Sequence, residues 1–255
     1  GYVHHLLRTA NAVNLCEGLR ASALCGVLTG SGKHLSAAET GLARMNKAHG
    51  AVCGGVTGDP LLAGTHPSRG VAALSLCELA ASLEAMPSCP SGEHTADQLD
   101  TLMYNGVAAA FACDGRSIQP IQQANQVAIN REARFPLCGE NANLFSLEDG
   151  DSLAALLGAW PRFAQHQWLL SRDFANSYAP CQVRYRLGGA SVRLNVESRY
   201  PASGSIRISV SLDRSTAFPM HLRIPGWAKA LLCIVPLAVC ALAVYVLVQR
   251  IREIQ

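Results

Sequence analysis

The sequence contains ten cysteines among its 255 residues but no CxxC pair. This absence argues against a zinc ribbon and against a thioredoxin-like redox motif. Cysteines scattered through apolar stretches usually behave as small buried hydrophobic residues. One or two disulfides between loop cysteines, such as Cys89 and Cys113, are the alternative if the protein faces an oxidising compartment.

The sequence also lacks a marked excess of either charge. Its 21 Lys+Arg and 18 Asp+Glu leave a net charge of +3, and no basic stripe interleaves with aromatic residues. A nucleic-acid footprint requires such a stripe, so we expect no nucleic-acid partner. The chain begins with Gly1, and no charged segment followed by an apolar one opens it. We therefore expect that any targeting peptide has been removed or is not included.

The first half of the sequence carries helical patterns. Ala, Leu and Glu recur at helical spacing in Ser36 to His49 and Val71 to Met86, and the helical pattern continues in Thr95 to Ala112. The stretches between them are rich in Gly and Pro and are expected to form long loops. A hydrophobic content of 49% is enough to bury the core of one large domain or two modest ones.

After about residue 176 the hydrophobic period changes to two, which is typical of strands. Turn signals separate the segments QVRYRL, ASVRLNVES, SIRISVSL and FPMHLRI. Helices followed by strands predict an α+β chain, with a boundary near Asp173 to Tyr178. The predicted domains are a helical region over 1–175, an antiparallel β-sandwich-like region over 176–228, and a C-terminal segment over 229–255.

An apolar run without a charge extends from Ala230 to Val248, between Lys229 and Arg250. As a helix rising about 1.5 Å per residue it would span about 28 Å, close to the hydrocarbon thickness of a bilayer. The sequence therefore predicts a single-pass transmembrane helix followed by a short polar tail.

The charges that flank this run predict its orientation. Arg250 and Arg252 slightly favour a cytosol-like side for the tail, which would put the soluble region on the lumenal or exterior side. Cys233, Cys240 and Ala241 share one face of the predicted helix, which suits close packing against another membrane helix. Contact with lipid is the alternative for that face.

Six phrases in the soluble region resemble glycoside hydrolase family 127, the β-L-arabinofuranosidase-like proteins once grouped as a domain of unknown function. They are Gly54 to Gly70, Leu99 to Phe111, Gln122 to Val127, Glu140 to Phe145, Ala159 to Ala164 and Phe218 to Ala228. Their order and spacing extend the resemblance from about His5 to Ala228. The resemblance implies an (α/α)6 toroid followed by β-sandwich modules. Residues up to about 170 would then be the last helices of a truncated toroid.

The resemblance also implies a cysteine nucleophile beside a zinc ion, with glutamate and further cysteines as ligands and a second glutamate as acid/base. This sequence departs from that pattern at every expected ligand. Asp151 and Ser152 stand where two adjacent cysteines are expected, and Ala72 and Leu74 stand where a glutamate and a cysteine are expected.

Two further positions depart from the family in the same way. Pro60 replaces a loop carboxylate, and Asn11 replaces a histidine. Because a thiolate needs a nearby cation to lower its pKa, nucleophile and metal are lost together. The sequence therefore predicts no catalytic, cofactor-binding or metal-binding residue.

The first functional hypothesis is a catalytically inactive, enzyme-derived accessory or scaffolding subunit of a larger membrane protein complex. Its partners would be other membrane subunits and the lipid bilayer, and a photosystem or respiratory complex is one candidate host. Three histidines are expected to serve as loop or core hydrogen-bonding groups: His66, His94 and His221.

The alternative is a membrane-anchored glycoside hydrolase, or a carbohydrate-binding protein, acting on arabinose-containing glycans. A hydrolase would need a new carboxylate pair, drawn from Asp59, Glu78, Glu84, Glu140 and Asp151. Glu78 and Glu84 are expected on different faces of one helix. A binding protein would stack sugars on aromatic rings, the candidates being Trp160, Trp168, Tyr178 and Tyr200.

Overall fold

The computed structural model describes residues 11–58, 61–62, 64–86, 92–126, 128–129, 143–169, 174–175, 177–216, 218, 220–226 and 243–248. Helices predominate in the first part of the chain and strands in the second, so the predicted α+β class is confirmed. The chain divides into two compact units between Phe163 and Ala164. The domain limits predicted at 175 and 228 stay predictions.

Two helices open the first unit. Helix α1 spans Ala12–Thr29 and begins at Asn11, whose side-chain oxygen accepts the amide of Asn14 at 3.1 Å. It ends at Gly30, which adopts the left-handed conformation that glycine tolerates. Helix α2 spans Gly32–His49, so the predicted helix has its end in the right place and begins earlier than expected.

Helix α3, Ala73–Ala85, is the centre of the core of this unit. Most of its side chains are buried, and Leu76, Leu79 and Leu83 have no exposed area. Burial of each such leucine stabilises the fold by roughly 1.5–3 kcal/mol. A helix that is apolar nearly all round has to be surrounded by other elements, which places α3 at the centre.

Two further helices complete the first unit. Helix α4 spans Gly92–Thr101 and continues as a π-helical turn over Leu102–Val107 and a 3-10 turn over Ala108–Ala110. Helix α5 spans Gly150–Gln165. Strands β1 (Val71–Ala72) and β2 (Ile121–Gln122) pair antiparallel.

The described residues of the second unit form two sheets. Three short strands form the first, in the order β3 (Trp168–Leu169), β4 (Phe174–Ala175) and β8 (His221–Leu222). The second is antiparallel, in the order β5, β6, β7 and β9. These four strands span Cys181–Leu187, Ala190–Ser198, Ile206–Leu212 and Ala243–Val248.

The period-two prediction is confirmed in β5, β6 and β7. Buried side chains alternate with more exposed ones along β6 and β7, and partly buried side chains alternate with exposed ones along β5, as in a sheet with one face on the core. Residues Gly188 and Gly189 both have positive φ in the turn that joins β5 to β6. The fourth predicted segment contributes only the short strand β8, in the other sheet.

The C-terminal apolar run departs from its prediction where the structure describes it. Residues Ala243–Val248 form strand β9, antiparallel to β7, so the predicted helix is wrong over these six residues. The segment is rich in valine, and β-branched residues suit a strand beside an edge with free backbone groups. Among the described residues no helix is both long and apolar enough to cross a membrane. Residues 230–242 and 249–255 lie outside the described part.

The described cysteines carry free thiols. They are Cys16, Cys25, Cys53, Cys77, Cys113 and Cys181. Cys113 therefore forms no disulfide with any described cysteine, while Cys89, the partner suggested for it, lies outside the described residues. Burial of Cys16 and Cys77 agrees with the expectation that cysteines in apolar stretches act as core residues.

Candidate active-site region

Several segments that the resemblance assigns to family chemistry meet in the first unit. Asn11 forms a bridge with Leu61, and Gly58 forms bridges with Leu62 and Val71. Gly58, Leu61 and Leu62 thus lie between the start of α1 and strand β1. We call this junction the loop cradle.

Backbone hydrogen bonds connect Gly58 of the loop cradle to the residues just before α3. The Gly58 amide donates to the carbonyl of Gly70 at 2.8 Å, and the Ala72 amide donates to the carbonyl of Gly58 at 3.2 Å. The Ala73 amide donates to the carbonyl of Pro120 at 2.8 Å. The first residues of α3 are therefore held against both the loop and the segment that leads into β2.

A buried histidine that the sequence analysis did not single out organises the long loop before α3. The amide of Gly64 donates to Nδ1 of His49 at 2.9 Å, and the amide of Thr57 donates to the carbonyl of His49 at 2.7 Å. The Thr57 hydroxyl also donates to the carbonyl of Gly64. The only feature that could have singled out His49 is its burial at the end of α2, and that burial becomes visible only in the structure.

The side chains in the loop cradle do not provide the expected ligands. Asn11 uses its side-chain oxygen to cap α1. Ala72 ends strand β1 and Leu74 lies in the first turn of α3, and neither has a side-chain donor atom. Pro60 lies outside the described residues.

The two residues at the expected cysteine pair lie in the first turn of α5. The carboxylate of Asp149 accepts the amide and the hydroxyl of Ser152, both at 3.0 Å. This is the geometry of a helix N-cap, and acidic Asp151 also suits the positive end of the helix dipole. Asp149 was missed by the sequence analysis, although an aspartate three residues before a serine at a helix start is a capping signal.

The buried thiols are poor nucleophiles. Burial, with a smaller contribution from the Glu78 carboxylate, raises the pKa of Cys16 to about 12. Burial likewise raises the pKa of Cys77 to about 12, although the nearby Arg162 guanidinium partly opposes the effect. Burial also raises the pKa of Cys53. A nucleophilic cysteine needs the opposite shift, so these thiols stay protonated near neutral pH.

The carboxylates considered for a new catalytic pair are separated. Glu78 lies 3.4 Å from Arg20 of α1, whereas Glu84 lies 2.6 Å from Arg162 of α5. The two glutamates thus face different neighbours, which confirms that they lie on different faces of α3. Asp151 is exposed. Asp59 and Glu140 lie outside the described residues.

The three histidines named in the sequence analysis lie in three different elements of the structure. Nδ1 of His66 accepts the Ser68 amide at 3.2 Å, in agreement with a loop hydrogen-bonding role. His94 lies on an exposed position of helix α4 and His221 on an exposed position of strand β8, so the expected loop or core location is wrong for both.

Most of the aromatic residues proposed for sugar stacking belong to cores. Trp168, Tyr178 and Tyr200 are each less than one-tenth exposed. Their burial contradicts a stacking role, because a sugar needs an exposed ring face. Trp160 is half-buried and packs against Tyr104 and Phe163, with ring centroids 6.3 and 6.1 Å away.

A pocket of about 310 Å³ lies between the end of α2 and α4. The amide side chains of Asn46 and Gln98 bond each other across it at 2.7 and 3.0 Å, and Gln98 also donates to the carbonyl of Gly54 at 2.8 Å. Asp97 is the one carboxylate among its lining residues. Glycoside cleavage normally requires two carboxyl groups at a fixed separation, so this pocket lacks the usual pair.

A zinc ion of the kind implied by the resemblance does not fit the residues present. Two of the expected ligand positions are aliphatic, and the hydroxyl of Ser152 already donates to Asp149. Across the described residues, no three His, Cys, Asp or Glu side chains are grouped closely enough to hold a metal. Zinc is bound by thiolate, imidazole or carboxylate groups, and the positions expected to provide them lack a sufficient set.

Comparisons with known proteins agree with the fold. The family model "Beta-L-arabinofuranosidase, GH127 middle domain" matches residues 174–238. A solved GH127 β-L-arabinofuranosidase from Geobacillus Stearothermophilus T6 is similar to 95% of this chain with a TM-score of 0.73 and 20% identity. None of the curated proteins matches the sequence.

Two further solved chains show the same likeness. A second GH127 β-arabinofuranosidase is similar over 87% of this chain, with a TM-score of 0.63 and 17% identity. A chain described as a glycoside hydrolase is similar over 94%, with a TM-score of 0.68 and 15% identity. This chain covers 41%, 35% and 45% of the three solved chains, less than half of each. The chain therefore has a GH127-like fold, and its residues 174–238 match the middle domain of that family, in agreement with the resemblance carried by the six sequence phrases.

Proposed function

We propose that this chain is a catalytically inactive GH127-like domain that serves as an accessory or scaffolding subunit. The observation that carries the proposal is the set of side chains at the expected ligand positions. Ala72 and Leu74 provide no donor atom, and Ser152 is hydrogen-bonded to the residue that caps its own helix. A structural use of these positions replaces the catalytic one.

The electrostatics of the first unit support the same proposal. Burial raises the pKa of the Cys53 and Cys77 thiols, so neither provides a thiolate near neutral pH to attack an anomeric carbon. Glu84 pairs with a guanidinium in the core, where it would be a poor acid/base group for a sugar. Losing the metal and the thiolate together removes both halves of the family chemistry.

The proposal also covers the architecture from which the two units derive. Helices α1 to α5 would correspond to part of an (α/α)6 toroid, and the strands of the second unit to part of a β-sandwich. The fold-level likeness to solved GH127 enzymes supports this correspondence.

The proposal extends to a membrane complex, with the soluble region on the lumenal or exterior side. Its support is the uncharged apolar run from Ala230 to Val248, which is long enough to cross a bilayer as a helix. Strand β9 uses the last six residues of that run. Membrane insertion would therefore require β9 to leave β7, and an experiment can separate the two arrangements.

The catalytic part is tested by measuring zinc content and arabinofuranoside hydrolysis on the purified full chain. We expect less than one-tenth equivalent of zinc and no release of sugar from aryl β-L-arabinofuranosides, with a solved GH127 enzyme as positive control. One equivalent of zinc would overturn the proposal. So would hydrolysis that is abolished by Glu84→Gln or Asp151→Asn.

The membrane part is tested by alkaline carbonate extraction of membranes from cells that make the full chain. We expect the chain in the pellet, and its first unit protected from added protease on the lumenal side. Val235→Arg should shift it to the supernatant, whereas Val27→Arg, on an exposed site of α1, should not. Recovery of the unaltered chain in the supernatant would contradict membrane anchoring. Native electrophoresis as a free monomer would contradict a scaffolding role.

A further inference from the structure

The outward face of strands β5, β6 and β7 carries a cluster of arginines. Arg184 and Arg186 of β5 and Arg193 of β6 are all exposed. We call these three residues the arginine face. The other outward residues of these strands are polar or charged: Gln182, Ser191, Asn195, Glu197, Arg207, Ser209 and Ser211.

The sheet register places like charges directly opposite each other. Arg184 pairs in register with Arg193, and Arg186 pairs with Ser191. Like charges at directly opposite positions destabilise a sheet. Keeping this pair of arginines therefore lowers the stability of the sheet. The retained pair points to a ligand that binds both guanidinium groups.

The described part of the chain provides no carboxylate that neutralises the arginine face. Among the described residues, no carboxylate lies within ion-pair distance of its three guanidinium groups. The Asp213 carboxylate accepts the Ser191 amide at 2.8 Å. The Glu197 carboxylate lies 3.7 Å from Arg207 and accepts the side-chain amide of Asn195 at 3.0 Å.

We propose that the arginine face binds an acidic polysaccharide, through carboxylate or sulfate groups on successive sugars. Guanidinium groups bind such oxyanions in a bidentate manner, and the serine, asparagine and glutamine side chains beside them suit sugar hydroxyls. The proposal goes beyond the accessory role and does not depend on the loss of catalysis.

The composition of the face favours this ligand over other partners. Protein interfaces have an apolar, aromatic-rich core, whereas the outward side chains of β5 and β6, the strands that carry the arginine face, are all polar or charged. Peripheral membrane binding by burial in lipid needs apolar residues for the same reason. Neutral sugars are usually held by aromatic stacking, which these strands do not offer outward. A single-stranded nucleic acid would also gain from stacking aromatics.

The test uses the full chain and measures binding by calorimetry at low and physiological salt. The probes are polygalacturonate for carboxylate, heparin for sulfate, neutral arabinan, vesicles containing phosphatidylserine, and single-stranded DNA. We expect one or both acidic polysaccharides to bind, with affinity falling as salt rises. Polygalacturonate alone would identify carboxylate as the group recognised, and heparin alone would identify sulfate.

Matched variants assign the site. The triple variant Arg184→Gln, Arg186→Gln and Arg193→Gln should weaken binding about tenfold or more. The control triple variant Arg44→Gln, Lys47→Gln and Arg116→Gln removes the same charge from exposed sites of the first unit and should change binding less than about twofold. The single variants Arg184→Gln and Arg193→Gln give the same comparison if the triple variant folds poorly.

Four outcomes would overturn the proposal: stronger binding to vesicles or DNA than to either acidic polysaccharide, equal binding of neutral arabinan, equal loss in both triple variants, or no loss in the first. Zinc content and arabinofuranosidase activity should be unchanged in the first triple variant. A failure of this proposal is thereby distinguishable from a failure of the accessory function.

Discussion

Nε of Arg162 lies 2.6 Å from Oε2 of Glu84, and this ion pair joins α5 to the central helix α3. Arg162 also donates to the carbonyl of Cys77 at 2.8 Å. The two partners differ in solvent access, because the side chain of Glu84 is 2% exposed and that of Arg162 is 31% exposed. The buried carboxylate of Glu84 is therefore stabilised by a guanidinium that remains partly in contact with solvent.

This asymmetry predicts that Arg162→Met destabilises the first unit more than Glu84→Gln does. Loss of the arginine leaves a buried carboxylate without its guanidinium, which should cost about 3 kcal/mol. Glu84→Gln leaves a cation that water can still reach, and should cost about 1–2 kcal/mol. Urea unfolding followed by circular dichroism measures both. Arg20→Met, which removes a longer and more exposed pair with Glu78, is the control and should cost less than about 1 kcal/mol. Equal costs for Arg162→Met and Arg20→Met would contradict the burial argument.

The buried thiols predict a loss of stability at high pH. Burial raises the pKa of Cys16 and Cys77 from 9.0 to about 12, so the folded state keeps both protons where the unfolded state releases them. The contribution of these thiols is complete below pH 9 and is lost as the pH rises from 9 toward 12. The free energy of unfolding should fall more steeply across this window in the unaltered chain than in a Cys16→Ala, Cys77→Ala variant. Identical slopes would show that the thiols titrate alike in both states.

The same burial predicts selective alkylation. At pH 8, iodoacetamide should label exposed Cys113 at least about tenfold faster than Cys77, because reaction requires an accessible thiolate. Peptide mass spectrometry over a time course measures the two rates. Labelling of Cys77 in the folded protein at the rate of Cys113 would contradict the assignment of Cys77 to the core.

Substitution of two glycines in the loop before α3 distinguishes the cost of a steric clash from the cost of backbone strain. Gly54 has φ +86, and a Cβ there would lie 2.9 Å from the backbone nitrogen of Leu102. Gly64 has nearly the same φ, +83, but a Cβ there would meet nothing within 4 Å. Gly64→Ala should therefore cost about 1 kcal/mol from backbone strain alone. Gly54→Ala should cost about 1–3 kcal/mol more, because the π-helical turn would have to shift. Thermal unfolding compares them, and equal costs would exclude the predicted clash.

The paired arginines of the sheet predict a stabilising substitution. Arg193→Thr removes the charge opposite Arg184 and introduces a β-branched residue, so stability should rise by about a few tenths of a kcal/mol. Arg207→Thr, at the position that pairs with Glu197, is the control and should give no gain. Urea midpoints measure both. A loss of stability in Arg193→Thr would show that Arg193 supports the fold.

Local patterns predicted much of the fold, and contacts distant in the chain account for what they missed. The helix ending at His49 and the strands β5 to β7 carry clear periodicity, because one face of each meets the core. Helix α1 was missed because apolar residues occur nearly all round it. Strand β9 was misjudged because a valine-rich apolar segment without a polar face fits a strand as well as a helix, and only pairing with β7 selects the strand.

Sequence and tertiary structure likewise account for different features of the candidate site. Sequence alone determined which chemical groups are missing, since no folding can give Ala72 or Leu74 a ligand atom. It also predicted the resemblance to GH127 that the fold comparisons support. Tertiary structure alone decided that His49 holds the loop, that Glu84 is paired with Arg162, and that Arg184 lies opposite Arg193. The reason is physical: side-chain chemistry is local to a residue, whereas burial, pairing and pKa depend on which distant residues the fold brings beside it.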